Sequence, residues 1–257
     1  MIKPKILILS GYGLNCEDET KYAFELAGGK VKIVHINDLI KNKNILNDFQ
    51  IMAIPGGFAY GDDTGSGNAY GLKLRNHLWE NILKFVTKDH LVIGICNGFQ
   101  VLVNLGLVPA LNKKYGDRQV ALLPNESTRY TTGWFDLKVE SDTPWLKEID
   151  KISLPIAHGE GKFFANKEIL NQINKKGLVA LKYNKINPTG TLENITGITD
   201  ESKRIFGLMP HPERAMFFTQ LPNWPYLKEE YQRKGVEIPR FGPGLQIFKN
   251  GVNYFKV

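Results

Sequence analysis

The 257-residue chain is 42% hydrophobic and 23% charged, which is typical of a globular protein able to bury a core without crosslinks. Its net charge of +7 comes from lysines spread along the chain rather than from a basic run, which argues against a nucleic-acid partner. The two cysteines, Cys16 and Cys96, are too few for a disulfide framework, and the apolar run Ile6 to Leu9 is too short for a signal peptide or membrane span. We therefore expect a cytoplasmic protein without a membrane partner, folded as one domain over residues 1–257.

Strands and helices alternate in the first hundred residues. Four short apolar runs predict strands: Lys5–Ser10, Val31–His35, Ile51–Ile54 and Leu91–Ile95. Three stretches predict helices: Glu17–Leu26, a stretch through Leu74 and Phe85, and Gln100–Leu105. Asn15 is a plausible cap for the first helix, and Gly106 ends the third. This alternation favours a parallel sheet with helices on both faces.

The pattern changes after residue 119. Six short segments have the composition of strands: Val120–Leu122, Phe135–Val139, Ile152–Ala157, Leu178–Tyr183, Ile195–Thr199 and Ile205–Met209. The loops between them indicate extra strands, some of them antiparallel. A proline-bearing tail begins at Thr219 and ends in the apolar stretch Leu245 to Phe255. We read this tail either as a docking surface for a partner or as part of the core. The fold class is thus α/β, an open and mostly parallel sheet with antiparallel additions in its second half.

Cys96 lies in the sequence Gly94-Ile95-Cys96-Asn97-Gly98, between a predicted strand and a predicted helix. This is the Gly-x-nucleophile-x-Gly pattern of a sharp strand-to-helix turn, with cysteine as the nucleophile. The turn holds the sulfur clear of the sheet and points the positive end of the helix at it, which favours the thiolate. The N–H group of Asn97 can meet a developing oxyanion. We therefore predict that Cys96 is a catalytic nucleophile rather than a buried structural cysteine.

A thiol nucleophile needs a base, and two of the five histidines compete for that role. His211 is framed by prolines, and in an extended chain Glu213 shares its face and can orient it. His158 also has a carboxylate two residues on, in Glu160, but looser glycines surround it. Geometry favours His211 as the base, with His158 as a secondary candidate. We expect no metal site, because no compact cluster of further ligands accompanies these residues.

Two glycine-rich loops follow predicted strands. Gly56 and Gly57 follow the third strand. Either their N–H groups act as an oxyanion donor, or the glycines simply make the loop flexible. Gly11-Tyr12-Gly13 begins like a dinucleotide fingerprint, but the third glycine is missing, which argues against a nicotinamide or flavin site.

Three motifs together resemble the class I glutamine amidotransferases: Pro55-Gly56-Gly57-Phe58, Gly94-Ile95-Cys96-Asn97-Gly98-Phe99-Gln100 and Pro210-His211-Pro212-Glu213-Arg214. Two further strings, Gly56–Asp62 and Ala157–Gly161, narrow the resemblance to the glutaminase components of phosphoribosylformylglycinamidine synthase. The resemblance spans essentially the whole chain. It implies a flavodoxin-like fold and the hydrolysis of glutamine to glutamate and ammonia.

The resemblance also implies site residues and partners. It implies a catalytic triad of Cys96, His211 and Glu213, and an oxyanion held by the N–H groups of Gly57 and Asn97. Glutamine would bind near Gly57, Phe58 and Gln100. The partners would be a synthase subunit, PurL, and a small accessory subunit, PurS. ATP and magnesium would bind the synthase partner, and this chain would need no cofactor.

Other functions remain open on the residues alone. The chain could serve a different amidotransferase complex, or act as a cysteine hydrolase or peptidase on a related α/β fold. One such family places histidine directly after the nucleophile, where this chain has Asn97. A catalytically inactive binding subunit is a third alternative. The presence of all three residue types of the triad, cysteine, histidine and glutamate, argues against it.

Overall fold

A nine-stranded sheet and a two-stranded sheet organise residues 3–256, the part of the predicted domain that the computed structural model describes. The strands are β1 (Lys5–Ser10), β2 (Lys30–His35), β3 (Ile51–Ile54), β4 (Leu91–Ile95), β5 (Ala121–Leu123), β6 (Thr131–Val139), β7 (Lys151–His158), β8 (Lys162–Phe164), β9 (Val179–Tyr183), β10 (Ile195–Thr199) and β11 (Ile205–Leu208). The helices are α1 (Glu17–Leu26), α2 (Ile36–Lys41), α3 (Asn68–Val86), α4 (Asn97–Leu105), α5 (Lys167–Lys175), α6 (Trp224–Arg233) and α7 (Leu245–Asn253).

The large sheet has a parallel half and an antiparallel half. Its order is β2-β1-β3-β4-β11-β10-β9-β6-β7, and the first five strands in that order run parallel. The remaining strands pair antiparallel, while β5 and β8 form the small sheet. The predicted mixed fold, parallel first and antiparallel later, is therefore confirmed.

Helices cover both faces of the parallel half. The connections from β1 to β2 and from β3 to β4 run in opposite directions along the sheet, so right-handed crossovers place α1 and α3 on opposite faces. On one face α1 packs against α7, and on the other α3 packs against α4. Because the central strands are covered on both sides, β3 and β4 are buried along their whole length.

The structure differs from the sequence prediction in several elements. Cys16, rather than Asn15, is the residue that precedes α1, and its side chain makes no capping hydrogen bond. Five elements were not predicted: the strand β8 and the helices α2, α5, α6 and α7. None of the helices in residues 3–256 has the length and apolar character that a membrane crossing requires.

The tail divides into two parts with different surroundings. In α7 the side chains of Ile247, Phe248 and Val252 are fully buried, so this part belongs to the core. In contrast, α6 has no buried residue. The core interpretation holds for the end of the tail, and the docking interpretation remains a prediction for α6.

Candidate active site

The site lies at one edge of the sheet, where four parallel strands end. Cys16 follows β1 by six residues, Gly56 follows β3, Cys96 directly follows β4, and His211 follows β11. Parallel strands present their carboxyl ends on the same side, so residues far apart in sequence meet there. The loops after β1 and β3 flank the point where the strand order reverses, and Leu14 and Gly57 form a β-bridge across it.

Cys96 occupies the sharp turn predicted from its flanking glycines. Its backbone φ of 50° is strained for a residue with a side chain, and it lies directly between β4 and α4. A Cβ atom on Gly98 would lie 1.9 Å from the carbonyl oxygen of Ile54, and one on Gly94 would lie 2.6 Å from that of Gly98. The turn can therefore form only with glycine at these two positions, which is the physical reason for the motif.

His211 and Glu213 form a buried pair next to Cys96. Nδ1 of His211 lies 2.5 Å from Oε1 of Glu213, and both residues are 1% exposed. Glu213 reaches this position from a single helical turn, Pro212–Arg214, so the prediction of an extended chain through this residue is wrong. The N–H group of His211 donates to the carbonyl of Pro155 in β7, which anchors the segment to the sheet edge.

The charges around His211 favour its protonated form. Burial alone would lower the pKa of His211, but the Glu213 carboxylate and the Cys96 thiolate outweigh burial and raise this pKa well above its ordinary value. Nε2 of His211 has no hydrogen-bond partner in residues 3–256 within ordinary distance, which leaves it available for a proton transfer. The electrostatics therefore suit a thiolate–imidazolium pair of Cys96 and His211.

Cys16 lies close to His211 and Glu213. Its Sγ accepts a hydrogen bond from Nη2 of Arg214 at 3.1 Å, so it contacts the residue that follows Glu213. Ligand atoms of Cys16, His211 and Glu213 lie within 4.8 Å of one another, a cluster that the sequence did not reveal. A metal ion there would have to displace the Arg214 guanidinium and separate Glu213 from Nδ1, so the arrangement suits an ion-paired triad better than a metal centre. The absence of a metal remains a prediction.

Two N–H groups are placed to receive negative charge. Within residues 3–256, neither the N–H of Gly57 nor that of Asn97 donates to another protein group, although their neighbours in both loops are engaged. Asn97 opens α4, so its N–H belongs to the positive end of that helix. The side chain of Asn97 is fully buried and donates to Asp62 and Gln100, so its backbone N–H is the group that could serve the predicted role.

A small cavity of about 120 Å³ opens in front of Cys96. Its lining residues are Gly57, Phe58, Asp62, Ser66, Cys96, Gln100, Tyr130, Ala157, His158, Gly159 and Glu160. The predicted binding residues Gly57, Phe58 and Gln100 are all part of this wall. The aromatic ring of Phe58 is exposed and tilts toward that of Tyr130, with 6.1 Å between ring centroids.

Four polar lining residues were missed as site residues from the sequence: Asp62, Ser66, Tyr130 and Glu160. Asp62 and Glu160 stand in the strings Gly56–Asp62 and Ala157–Gly161, so their motifs were available as a signal. Tyr130 stands between two predicted strands with no motif around it, and only the fold brings it to the cavity. The lining is therefore richer in polar groups than the sequence suggested.

His158 lines the same cavity but differs from His211 in charge. It is 2% exposed, and neither of its ring nitrogens has a hydrogen-bond partner within residues 3–256. Burial, together with the positive charge of His211, lowers the pKa of His158 to about 3. A base with so low a pKa holds a thiol proton poorly, which favours His211 over His158 as the general base.

The buried neutral His158 predicts acid sensitivity. Its native pKa of about 3 lies below the unfolded value of 6.5, so between these values only the unfolded chain binds the proton. The free energy of unfolding then falls as the pH drops below the unfolded value, by about 1.4 kcal/mol per pH unit. Between about pH 5.5 and 4.5, the free energy of unfolding measured with urea should fall by about 1 kcal/mol more for wild type than for His158→Gln. The exposed His77→Gln is the control and should follow wild type. Equal losses in wild type and His158→Gln would contradict the assignment.

Comparison with known proteins agrees with this geometry. The sequence model of the CobB/CobQ-like glutamine amidotransferase domain family matches residues 3–255 of this chain. The phosphoribosylformylglycinamidine synthase subunit PurQ of Methanococcus maripaludis strain C7 is 46% identical over 99% of both chains. That of Dehalococcoides mccartyi is 44% identical over 99% of this chain and 98% of the relative.

A solved structure extends the similarity to three dimensions. One chain of the PurLQS structure from Thermotoga maritima superimposes with a TM-score of 0.74 and 29% identity, covering 98% of this chain and 99% of that one. The match covers both the parallel and the antiparallel half of the sheet. This protein therefore belongs to the CobB/CobQ-like glutamine amidotransferases and, within them, to the PurQ subunits of phosphoribosylformylglycinamidine synthase.

Proposed function

We propose that this enzyme hydrolyses glutamine through a thioester on Cys96 and delivers the ammonia to a PurL synthase subunit. The observation that carries the proposal is the buried His211–Glu213 pair beside a cysteine on a strained strand-to-helix turn. Nucleophile, base and orienting carboxylate are the three groups that acyl transfer from an amide requires. The neighbouring N–H groups of Gly57 and Asn97 complete this set as oxyanion donors.

The first half of the reaction transfers the glutamyl group to sulfur. The Cys96 thiolate attacks the side-chain carboxamide carbon of glutamine, and the carbonyl oxygen becomes an oxyanion that faces the N–H groups of Gly57 and Asn97. His211, as imidazolium, then gives its proton to the nitrogen. The carbon–nitrogen bond breaks, ammonia leaves, and a glutamyl thioester remains on Cys96.

The second half restores the free enzyme. His211 is now neutral and takes a proton from a water molecule, whose oxygen attacks the thioester carbon. The carbon–sulfur bond breaks, which restores the Cys96 thiolate and protonated His211, and the new carboxyl group loses its proton to solvent as glutamate leaves. Glu213 holds the Nδ1 proton throughout, so that Nε2 faces the reacting atoms.

The ammonia then serves the synthase partner. We propose that PurL uses it, with ATP and magnesium bound on PurL, to convert formylglycinamide ribonucleotide to the amidine, and that PurS joins the complex. This chain would need no cofactor of its own. Both cysteines are free thiols and the nucleophile must stay reduced, so we place the reaction in the cytoplasm.

The experiment measures glutamate release by the purified chain in three conditions: alone, with PurL and PurS, and with both subunits plus ATP and formylglycinamide ribonucleotide. We expect the complete mixture to raise the rate by about tenfold or more, because a loaded partner favours the active arrangement of the loops. Amidine should form in proportion to glutamate. Full glutamate release by the chain alone, unchanged by the partner, would contradict the coupling, and no release in any mixture would contradict the glutaminase function.

A further inference from the structure

Two loops meet at the sheet edge beside Cys96. The first loop, residues 11–16, follows β1, and the second loop, residues 55–63, follows β3. The N–H of Phe58 donates to the carbonyl of Gly13 at 2.8 Å, and this is one of several backbone hydrogen bonds between the two loops. The second loop is therefore held along its length by the first.

The same contacts fix the direction of the peptide between Gly56 and Gly57. The carbonyl of Gly56 accepts from the N–H groups of Asn15 and Cys16, at 3.1 and 3.2 Å. In a planar trans peptide the C=O and the N–H point in opposite directions, so the N–H of Gly57 points away from the first loop. Gly57 lines the cavity in front of Cys96, and a rotated peptide would present a carbonyl oxygen there instead of an oxyanion donor.

Glycine on both sides of this peptide makes its orientation easy to change. Neither Gly56 nor Gly57 has a side chain that would restrict rotation of the backbone. A Cβ atom on Gly57 would lie 2.5 Å from the carbonyl oxygen of Gly13, so the close approach of the loops excludes a stiffer residue. The orientation of the oxyanion donor therefore depends on the contacts that hold the two loops together.

A pair of stacked tyrosines joins the loops at the surface. The rings of Tyr12 and Tyr60 are 14° from parallel, with 4.6 Å between their centroids, and the N–H of Tyr60 donates to the carbonyl of Tyr12 at 2.6 Å. Both residues have a left-handed backbone, with φ of 55° and 56°. This conformation is costly for a residue with a side chain, so it persists only where surrounding contacts hold it.

Two further residues hold the ring of Tyr12. Nζ of Lys73 in α3 lies 4.3 Å from the centroid of the ring and donates to its hydroxyl at 3.1 Å. Nδ2 of Asn37 in α2 donates to the same hydroxyl at 2.8 Å. Neither Tyr12 nor Tyr60 lines the cavity in front of Cys96, so any influence of the stack on the reaction must pass through the loops.

We propose that Tyr12 and Tyr60 are positioning residues that keep the N–H of Gly57 directed toward the oxyanion. The stack fastens the second loop to the first, and the backbone hydrogen bonds transmit this restraint to Gly57. The inference rests on the proposed glutaminase function, because an oxyanion forms only when the thiolate attacks a carbonyl group. Without the stack, the second loop would relax at Tyr60, and the peptide before Gly57 would be in the wrong orientation for part of the time.

The test compares two reactions of Cys96, each in the full chain with its synthase partner. Acylation by glutamine, followed in a single turnover, develops an oxyanion on the carbonyl oxygen. Alkylation by iodoacetamide uses the same thiolate, which displaces iodide from a saturated carbon, so no oxyanion develops. Peptide mass spectrometry identifies the alkylated Cys96 and separates it from any alkylated Cys16.

The variants differ in whether the stacked rings remain. Tyr12→Ala and Tyr60→Ala each remove one ring, whereas Tyr12→Phe and Tyr60→Phe keep both rings. The control is Tyr22→Ala, which removes a ring of α1 that is 45% exposed, compared with 40% for Tyr12. The alkylation rate also reports whether each variant retains a folded site with a reactive thiolate.

The expected result is a selective loss of acylation. Each alanine variant should acylate about tenfold more slowly at saturating glutamine, because a misdirected oxyanion donor lowers kcat rather than raising KM, and its alkylation rate should stay at the wild-type value. The phenylalanine variants and Tyr22→Ala should keep most of both rates. Unchanged acylation in the alanine variants, equal losses in both reactions, or phenylalanine variants as slow as the alanine variants would overturn the inference. Failure of wild type to form a thioester would instead overturn the proposed function.

Discussion

Cys96→Ala is expected to abolish glutamine-dependent amidine formation, with a loss of roughly 10⁴-fold or more in glutamate release. The variant lacks the only sulfur placed on the strained turn after β4, so no thioester can form. Amidine formation from added ammonia should continue at the wild-type rate, because that reaction needs only the synthase site. Glutamate release and amidine formation, each measured with glutamine and with ammonium chloride, check both halves of this expectation.

Cys16→Ala is the matched control for the cysteine substitution. Cys16 is also buried and also lies at this edge of the sheet, but no nucleophile turn surrounds it. We expect the variant to keep its glutamine-dependent reaction, with at most a modest loss from the missing contact to Arg214. Glutamine-dependent turnover that survives in Cys96→Ala but disappears in Cys16→Ala would reverse the assignment of the nucleophile.

The second large effect is expected from His211→Ala, which should slow acylation of Cys96 by about 10³-fold. Without the imidazolium, the thiolate loses its partner and the departing ammonia loses its proton donor. Glu213→Gln should also be impaired, because an amide cannot stabilise the imidazolium. The double substitution should cost little more than His211→Ala alone, since the two residues act as a unit. Single-turnover measurement of ammonia release checks these three variants.

His158→Ala provides the contrast to His211→Ala. We expect it to change the affinity for glutamine or the response to the synthase partner more than the rate of acylation, because the pKa of about 3 leaves this imidazole uncharged. Normal thioester formation in His211→Ala together with blocked acylation in His158→Ala would show that the base had been assigned to the wrong histidine.

The parallel half of the fold could be predicted from the sequence with few errors. Strands β1, β3 and β4 lie at the predicted bounds because strands buried on both faces give uninterrupted apolar runs. The turn at Cys96 could also be predicted, because its glycines are required by contacts of less than 3 Å with the backbone. These features are local, so a short stretch of sequence contains the information that determines them.

Other features depend on packing and left a weaker signal. Helix α5 has nine residues, of which only Ile173 is buried, so its apolar pattern is short. Strand β8 has three residues and pairs with the equally short strand β5. Cys16 and Arg214 are 198 residues apart, and no local pattern reports their contact. Glu213 was expected beside His211, but through an extended chain rather than the helical turn that brings it there.

The central claim is that Cys96 carries the glutamyl group during turnover. The most direct test lets the enzyme turn over radiolabelled glutamine and quenches the reaction in the steady state. The protein is then digested, and the acyl label is located by peptide mass spectrometry. The account predicts label on the peptide that contains Cys96, lost on treatment with hydroxylamine and missing from Cys96→Ala. Label on another residue, or steady glutamate production with no acylated Cys96 in a quench that traps a known thioester, would contradict it.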